Sequence, residues 1–169
     1  MTASPIKSKW LVCTMLVTVG MMIGYVEHLF IPAFGVPGVK IGLSNLVVVF
    51  ALMTFGKREA MAVGLAKCLM TGLVISGGMS ILYSLAGILF SVWMMALLKA
   101  KGYPRLFSIP GISMAGSAMF NIGQILVACL ILKNIAPLYY LGFLLAISVV
   151  AGGVCGFVTR ILMDRLGFR

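Results

Sequence analysis

Acidic residues are nearly absent from this chain. Only three occur among 169 residues, Glu27, Glu59 and Asp164, and they lie far apart in the sequence. Metal-assisted chemistry on diphosphates needs clustered carboxylates to hold Mg²⁺, so a catalytic site of that kind is not expected. The single histidine, His28, has only Glu27 as an acidic neighbour, and adjacent residues lie on different faces of a helix. The sequence therefore gives no support for a hydrolase triad.

Nucleotide-binding and metal-binding motifs are missing as well. No Walker A sequence is present, so the chain is not expected to hydrolyse ATP on its own. The four cysteines stand singly within apolar runs, and none has the spacing of a structural zinc site. We therefore predict a protein that has no metal, no cofactor and no catalytic residue.

Apolar residues dominate what is present. They make up 62% of the chain, and the mean hydropathy of +1.18 is far above that of soluble globular domains. Because the apolar runs are continuous and not alternating, they favour membrane helices over a barrel. The six runs cover residues 10–30, 41–55, 60–76, 79–98, 111–132 and 137–163. We predict an all-α bundle of six transmembrane helices, one domain over residues 1–169, multi-pass in a prokaryotic cell membrane.

The basic residues predict the orientation of this bundle. With the N-terminus inside, the inner loops and ends hold ten of the thirteen Lys and Arg residues: Lys7, Lys9, Lys57, Arg58, Lys99, Lys101, Arg105, Arg160, Arg165 and Arg169. The outer side holds two, Lys40 and Lys133, and Lys67 lies within the third segment. The positive-inside rule selects this arrangement, which places both termini in the cytoplasm.

The fifth segment carries an unusually polar face. Ser113, Ser117, Asn121 and Gln124 recur at helical spacing, so they share one side of the helix. Small and polar stripes on the other segments are typical of helix packing in lipid. The two large amides of segment five exceed what packing requires, so this face is a candidate binding surface.

The candidate binding residues gather in the outer half of the bundle, with Lys67 as the floor. An ionisable residue inside a membrane is a functional-site hypothesis by default. The alternative is a structural pair of Lys67 with Glu27 or Asn121, because buried charges persist only when they are paired. The candidate substrate-binding residues are Glu27, Lys40, Asn45, Lys67, Tyr83, Ser84, Asn121 and Gln124.

The chemistry of these side chains predicts the class of ligand. Lysine brings only hydrogen-bond donors, and each amide brings two donors and one acceptor oxygen. Glu27 is the only carboxylate near the outer half, so positive charge exceeds negative charge there. We expect an anionic or strongly hydrogen-bond-accepting ligand, with the outer loop from Ile31 to Lys40 as a lid that pivots at Gly35 and Gly38.

Three motifs in order give a resemblance to a known family. They are Pro-Gly-Val-Lys-Ile-Gly-Leu-Ser-Asn at residues 37–45, Tyr-Ser-Leu-Ala-Gly at 83–87 and Asn-Ile-Gly-Gln at 121–124. The chain resembles the Gx transporter family, also labelled heptaprenyl diphosphate synthase component I, over nearly its whole length. That family is similar to the S components of energy-coupling factor (ECF) transporters. One departure is Phe120, since a histidine often precedes the third motif in the family.

The resemblance implies a function and a set of partners. S components are six-helix membrane proteins with both termini inside, and they bind vitamin-like small molecules from the outer side. An ATPase pair and a scaffold membrane subunit then drive release. The corresponding contact on the first helix falls on small residues, predicted here as Thr14, Thr18, Gly20 and Gly24 on its membrane face. Packing of these residues within the bundle is the alternative.

Two other functions stay open at this stage. The synthase label fits the residues poorly because the carboxylates are missing, but the chain could be a non-catalytic membrane subunit of isoprenoid or quinone metabolism. It could also be a membrane anchor in a flavin- or quinone-linked electron-transfer complex. The molecule that copurifies with the chain would separate these functions.

Overall fold

Six α-helices make up the part of the chain that the structure, a computed structural model, describes: residues 5–30, 42–76 and 78–167. The helices are α1 (Pro5–Phe30), α2 (Leu46–Thr54), α3 (Lys57–Thr71), α4 (Gly78–Gly102), α5 (Ile109–Leu132) and α6 (Leu141–Leu166). Shorter helical turns cover Leu43–Asn45, Gly72–Ser76 and Ala136–Tyr140. The described residues contain no strand, so the predicted all-α class is confirmed for them.

Four helical segments are long and apolar enough to cross a membrane. They are Lys9–Leu29, Gly78–Gly102, Ile109–Leu132 and Ala136–Leu166. The nine residues of α2 extend only about 14 Å, whereas the hydrocarbon core of a bilayer is about 30 Å thick. The crossing of the membrane by all six helices and the cytoplasmic position of both termini stay predictions.

The short helix α2 lies at the centre of the bundle. Val47, Val48, Val49 and Ala51 are fully buried, and Phe50 between them is 5% exposed, so every face of the helix is enclosed. It contacts α1, α3, α4 and α6. A helix that is apolar all round is typical of such an enclosed position. The sequence run that looked like a short membrane span is therefore the core around which the longer helices pack.

Basic side chains hold the C-terminal end of α2 and its surroundings. Lys99 of α4 donates hydrogen bonds to the carbonyl oxygens of Leu52 and Met53, at 2.7 and 3.2 Å. The last carbonyls of a helix have no partner within the helix and carry partial negative charge, so an ammonium group is favourable there. Nearby, Lys9 and Glu59 form an ion pair at 2.5 Å that joins α1 to α3.

The helices α4, α5 and α6 pack as neighbours through small residues. A Cβ on Gly87 of α4 would lie 2.7 Å from the ring of Phe120 and 2.9 Å from its carbonyl oxygen. On the other side of α5, a Cβ on Gly156 of α6 would lie 2.4 Å from the Cα of Pro110. These contacts are too short for any side chain, so the glycines allow the close approach of the backbones.

Candidate functional site

The N-terminal end of α2 is held by the carboxylate of Glu27. Glu27 lies on α1, is 2% exposed, and accepts hydrogen bonds from the backbone N–H groups of Gly42 and, at 3.4 Å, Ser44. Gly42 adopts a left-handed conformation with φ of 96°, which favours glycine. The first N–H groups of a helix have no partner within the helix, and a negative charge is favourable beside them. The carboxylate therefore serves as an external cap for the turn that leads into α2.

Lys67 of α3 binds the same turn from another side. Its ammonium group donates to the carbonyl oxygen and to the hydroxyl of Ser44, each at 3.0 Å. Lys67 is 4% exposed, and a Cβ on Gly20 would lie 2.9 Å from its Cδ. The stem of the lysine thus passes closely over α1, and its ammonium group lies at the turn before α2.

Ser44 links the two buried charges. Its N–H donates to Glu27, and its carbonyl and hydroxyl oxygens accept from Lys67. A buried charge is tolerated when it is hydrogen-bonded and compensated by an opposite charge. The glutamate, the serine and the lysine therefore form one network that joins α1 and α3 to the turn before α2, and we call it the Ser44 network.

The buried amides differ in how they are satisfied. Asn45 is 1% exposed, and neither its oxygen nor its nitrogen has a hydrogen-bond partner within residues 5–30, 42–76 and 78–167. Asn121 of α5 donates to the carbonyl of Leu144 on α6 at 3.2 Å. The side-chain oxygen of Asn121 has no partner among the described residues. Gln124 is buried on the same helix.

A small cavity lies beside the Ser44 network. Its volume is about 10 Å³, which is close to the space of one water molecule. Pockets that hold drug-sized ligands measure about 300–1,000 Å³, so this cavity is too small for a molecule of that size. The cavity is lined by Ser44, Lys67, Cys68, Thr71, Ser84, Ile88 and Phe120.

The structure brings together part of the predicted binding set. Lys67 and Ser84 line the same cavity, and Glu27 joins Lys67 through Ser44. Tyr83, Asn45, Asn121 and Gln124 are buried as well, although Asn121 is directed to α6. The predictions for Lys40 and for a lid with pivots at glycines 35 and 38 lie outside the described residues. The binding role of the set stays a prediction.

A comparison with protein families identifies the family of this chain. A family model described as heptaprenyl diphosphate synthase component I matches residues 16–162. The chain belongs to this family. Searches of curated proteins and of solved structures gave no match. The resemblance that the three motifs predicted is confirmed at the level of this family.

The second and third motifs meet at a helix crossing. Gly87 ends the second motif and packs against Phe120, which directly precedes the third motif. A Cβ on Gly123 would lie 3.0 Å from the carbonyl oxygen of Ala86. The glycines of both motifs thus serve the crossing of α4 and α5. Phe120, at the position where a histidine was expected, lines the cavity beside Lys67.

The predicted partner-contact residues do not form one surface. Thr14 and Thr18 are exposed on α1, whereas Gly20 is buried against Val47 and Lys67, and Gly24 faces Thr71. The two pairs are six residues apart, which at 3.6 residues per turn places them about 120° apart around the helix. The shared membrane face was therefore wrong, and the glycines pack inside the bundle. Docking of a partner on α1 itself stays a prediction.

Two residues of the site, and one that holds the other end of α2, were not among the predicted site residues. Ser44 connects the two charges, Thr71 lines the cavity, and Lys99 holds the far end of α2. Thr71 had a visible signal, since it follows Lys67 by four residues and shares its helix face. Ser44 acts largely through its backbone, which no residue pattern can reveal. The sequence indicates Lys99 only as one of the basic residues that predict the topology.

Proposed function

We propose that this chain is the membrane-embedded substrate-binding subunit of an ECF-type transporter. It captures a small anionic or polar molecule from the outer side and releases it when an ATPase pair and a scaffold membrane subunit act on it. The proposal is supported by membership of the family, by the membrane-type helices and by the buried polar cluster at the N-terminal end of α2.

One observation carries the proposal. Polar atoms of Asn45, Thr71 and Ser84 are buried around the Ser44 network and lack partners among the described residues. Each buried polar group without a hydrogen bond costs about 1–3 kcal/mol. Helix packing alone does not compensate for this cost. A ligand that supplied acceptors and donors to these groups would remove it, so the cluster is better suited to binding than to stability.

The charges of the cluster favour an anionic ligand. The Glu27 carboxylate already accepts two backbone hydrogen bonds, so it is engaged with the protein. Lys67 and the hydroxyls of Thr71 and Ser84 supply donors toward the cavity. A carboxylate or phosphate group on the ligand matches these donors. Because the cavity is small, binding requires the side chains around it to move apart.

A second function is favoured by a different surface. An open, largely apolar groove of about 620 Å³ follows α1 and is lined by Thr18, Met21, Met22, Tyr25, Val26, His28 and Val74. The groove suits a prenyl chain, and the family description names a heptaprenyl diphosphate synthase. The alternative is therefore a non-catalytic membrane subunit of isoprenoid metabolism, with a prenyl lipid along α1.

Native mass spectrometry of the chain purified in mild detergent separates the two functions. The transporter proposal predicts a small polar adduct, released on unfolding and identified by its fragments. A prenyl lipid or quinone as the bound species would support the alternative and contradict the proposal. Copurification with an ATPase pair and a scaffold subunit is the matching test of the partners. Capture of a prenyl diphosphate synthase subunit in their place would again favour the alternative.

A further inference from the structure

The small cavity beside the Ser44 network has several polar side chains among the residues that line it. Lys67 and Thr71 reach it from α3, and Ser84 reaches it from α4. Thr71 is 2% exposed and Ser84 is 3% exposed. Neither hydroxyl has a hydrogen-bond partner among the residues that the structure describes.

This lack of partners is unusual for a hydroxyl in a helix. Serine and threonine in helices commonly donate to a carbonyl three or four residues earlier. Thr18, Ser148 and Thr159 do so here, at 3.2, 2.8 and 2.8 Å. Other buried hydroxyls lack partners too, but Thr71 and Ser84 are the two that also line this cavity. An acceptor and donor inside the cavity would satisfy both.

We propose that the cavity holds one buried water molecule, bonded to the hydroxyls of Thr71 and Ser84 beside the Lys67 ammonium. The volume of about 10 Å³ fits one water molecule, and a buried water needs about two to four polar partners, which these groups provide. The water joins α3 to α4 at the level of the turn before α2. It also adds an oxygen to the surroundings of the buried ammonium, which lowers the cost of burying that charge.

The position of the water also predicts where a ligand binds, and this inference rests on the proposed function. The two hydroxyls that hold the water and the Lys67 ammonium beside it can all donate hydrogen bonds. One oxygen of a carboxylate or phosphate group would meet the same donors after displacing the water. The cavity therefore predicts where the anionic group of a ligand is placed.

The direct test is an experimental structure of the full chain, purified without added ligand, at a resolution that shows ordered water. The expected result is a single density within about 3 Å of both Thr71 Oγ1 and Ser84 Oγ. A ligand oxygen at this position, in place of water, would also support the inference. An empty cavity, or both hydroxyls bonded to carbonyls of their own helices, would overturn it. This test needs no ligand, so its failure is distinct from failure of the transporter proposal.

Two variants and one control test the partners of the water. Thr71→Val keeps the side-chain shape and removes one hydroxyl, and Ser84→Ala removes the other, so the density should be lost or displaced in each. Thr18→Val is the control, because that hydroxyl bonds within α1 and faces away from the cavity. Unchanged density in both cavity variants would overturn the inference. If the variants do not fold, solid-state NMR of the wild-type chain in lipid should show magnetisation transfer from water to Lys67, and its absence would count equally against the proposal.

Discussion

Replacement of Lys67 by methionine tests whether the Ser44 network holds the bundle together. Methionine keeps most of the volume of the lysine stem, so the packing over Gly20 is largely retained. What the variant removes is the ammonium group that bonds the carbonyl and hydroxyl oxygens of Ser44. The Glu27 carboxylate then remains buried without the positive charge on the other side of the turn.

The expected loss of stability is large for a single substitution. Hydrogen bonds to charged groups are worth about 1.5–3 kcal/mol each, and a buried carbonyl left without its donor adds its own desolvation cost. Removing one partner of a buried charge pair costs about 3–5 kcal/mol in total. We therefore expect Lys67→Met to lower the free energy of unfolding by about 3–5 kcal/mol. The exposed Lys101 provides the matched control, for which Lys101→Met should change stability by less than about 0.5 kcal/mol.

Unfolding of both variants and the wild type in one mixed-detergent titration measures these differences. A further variant isolates the charge, since Glu27→Gln in the Lys67→Met background removes the uncompensated carboxylate. The double variant should be more stable than Lys67→Met alone, which gives a coupling energy between the two sites. The Ser44 network is refuted if Lys67→Met unfolds like the wild type. It is also refuted if Glu27→Gln lowers the free energy of unfolding by the same amount in the wild type and in the Lys67→Met variant.

Three further predictions concern other parts of the bundle. Gly87→Ala places a Cβ against the ring and the carbonyl oxygen of Phe120 on α5, so it should lower the unfolding free energy by about 1–3 kcal/mol. An unchanged unfolding free energy would contradict the close crossing of α4 and α5. The hydrogen bond from Lys9 lowers the pKa of Glu59. The wild type should therefore be more stable than the Glu59→Gln variant above about pH 4.3, and this difference should disappear as the pH falls through the lowered pKa. A difference in stability that grows in acid would refute the ion pair. Reporter fusions after Ser108 and after Arg169 should both report the cytoplasm, and an outside signal at either position would refute the topology.

Much of the fold could be predicted because apolar runs in this chain coincide with helices. The run at residues 79–98 appears as α4 (Gly78–Gly102), and the run at 111–132 appears as α5 (Ile109–Leu132). The role of α2 could not be read in the same way. A buried helix and a lipid-facing helix have the same apolar composition, so hydropathy does not distinguish a core helix from a span.

The candidate site was predictable in its side chains but not in its contacts. Lys67 and Glu27 stood out because charges are rare within membrane segments. Their connection through Ser44 depends on backbone groups of a turn, and turn conformation is not encoded in helical periodicity. The four residues on α1 do not form one surface, because the two pairs are six residues apart and therefore lie on different faces of the helix. Gly20 and Gly24 lie on the face of α1 that packs against α2 and α3.

Substitution of Asn45 gives the most direct measurement of the central claim, that the buried polar cluster binds a ligand. Asn45→Leu removes two buried polar atoms that lack partners among the described residues, so the empty chain should keep or gain stability. Native mass spectrometry of the wild type and of Asn45→Leu, purified side by side, reports the fraction of chains with the bound small molecule. The account predicts a folded variant with the small-molecule occupancy lost. Equal occupancy in the wild type and the folded variant would contradict it.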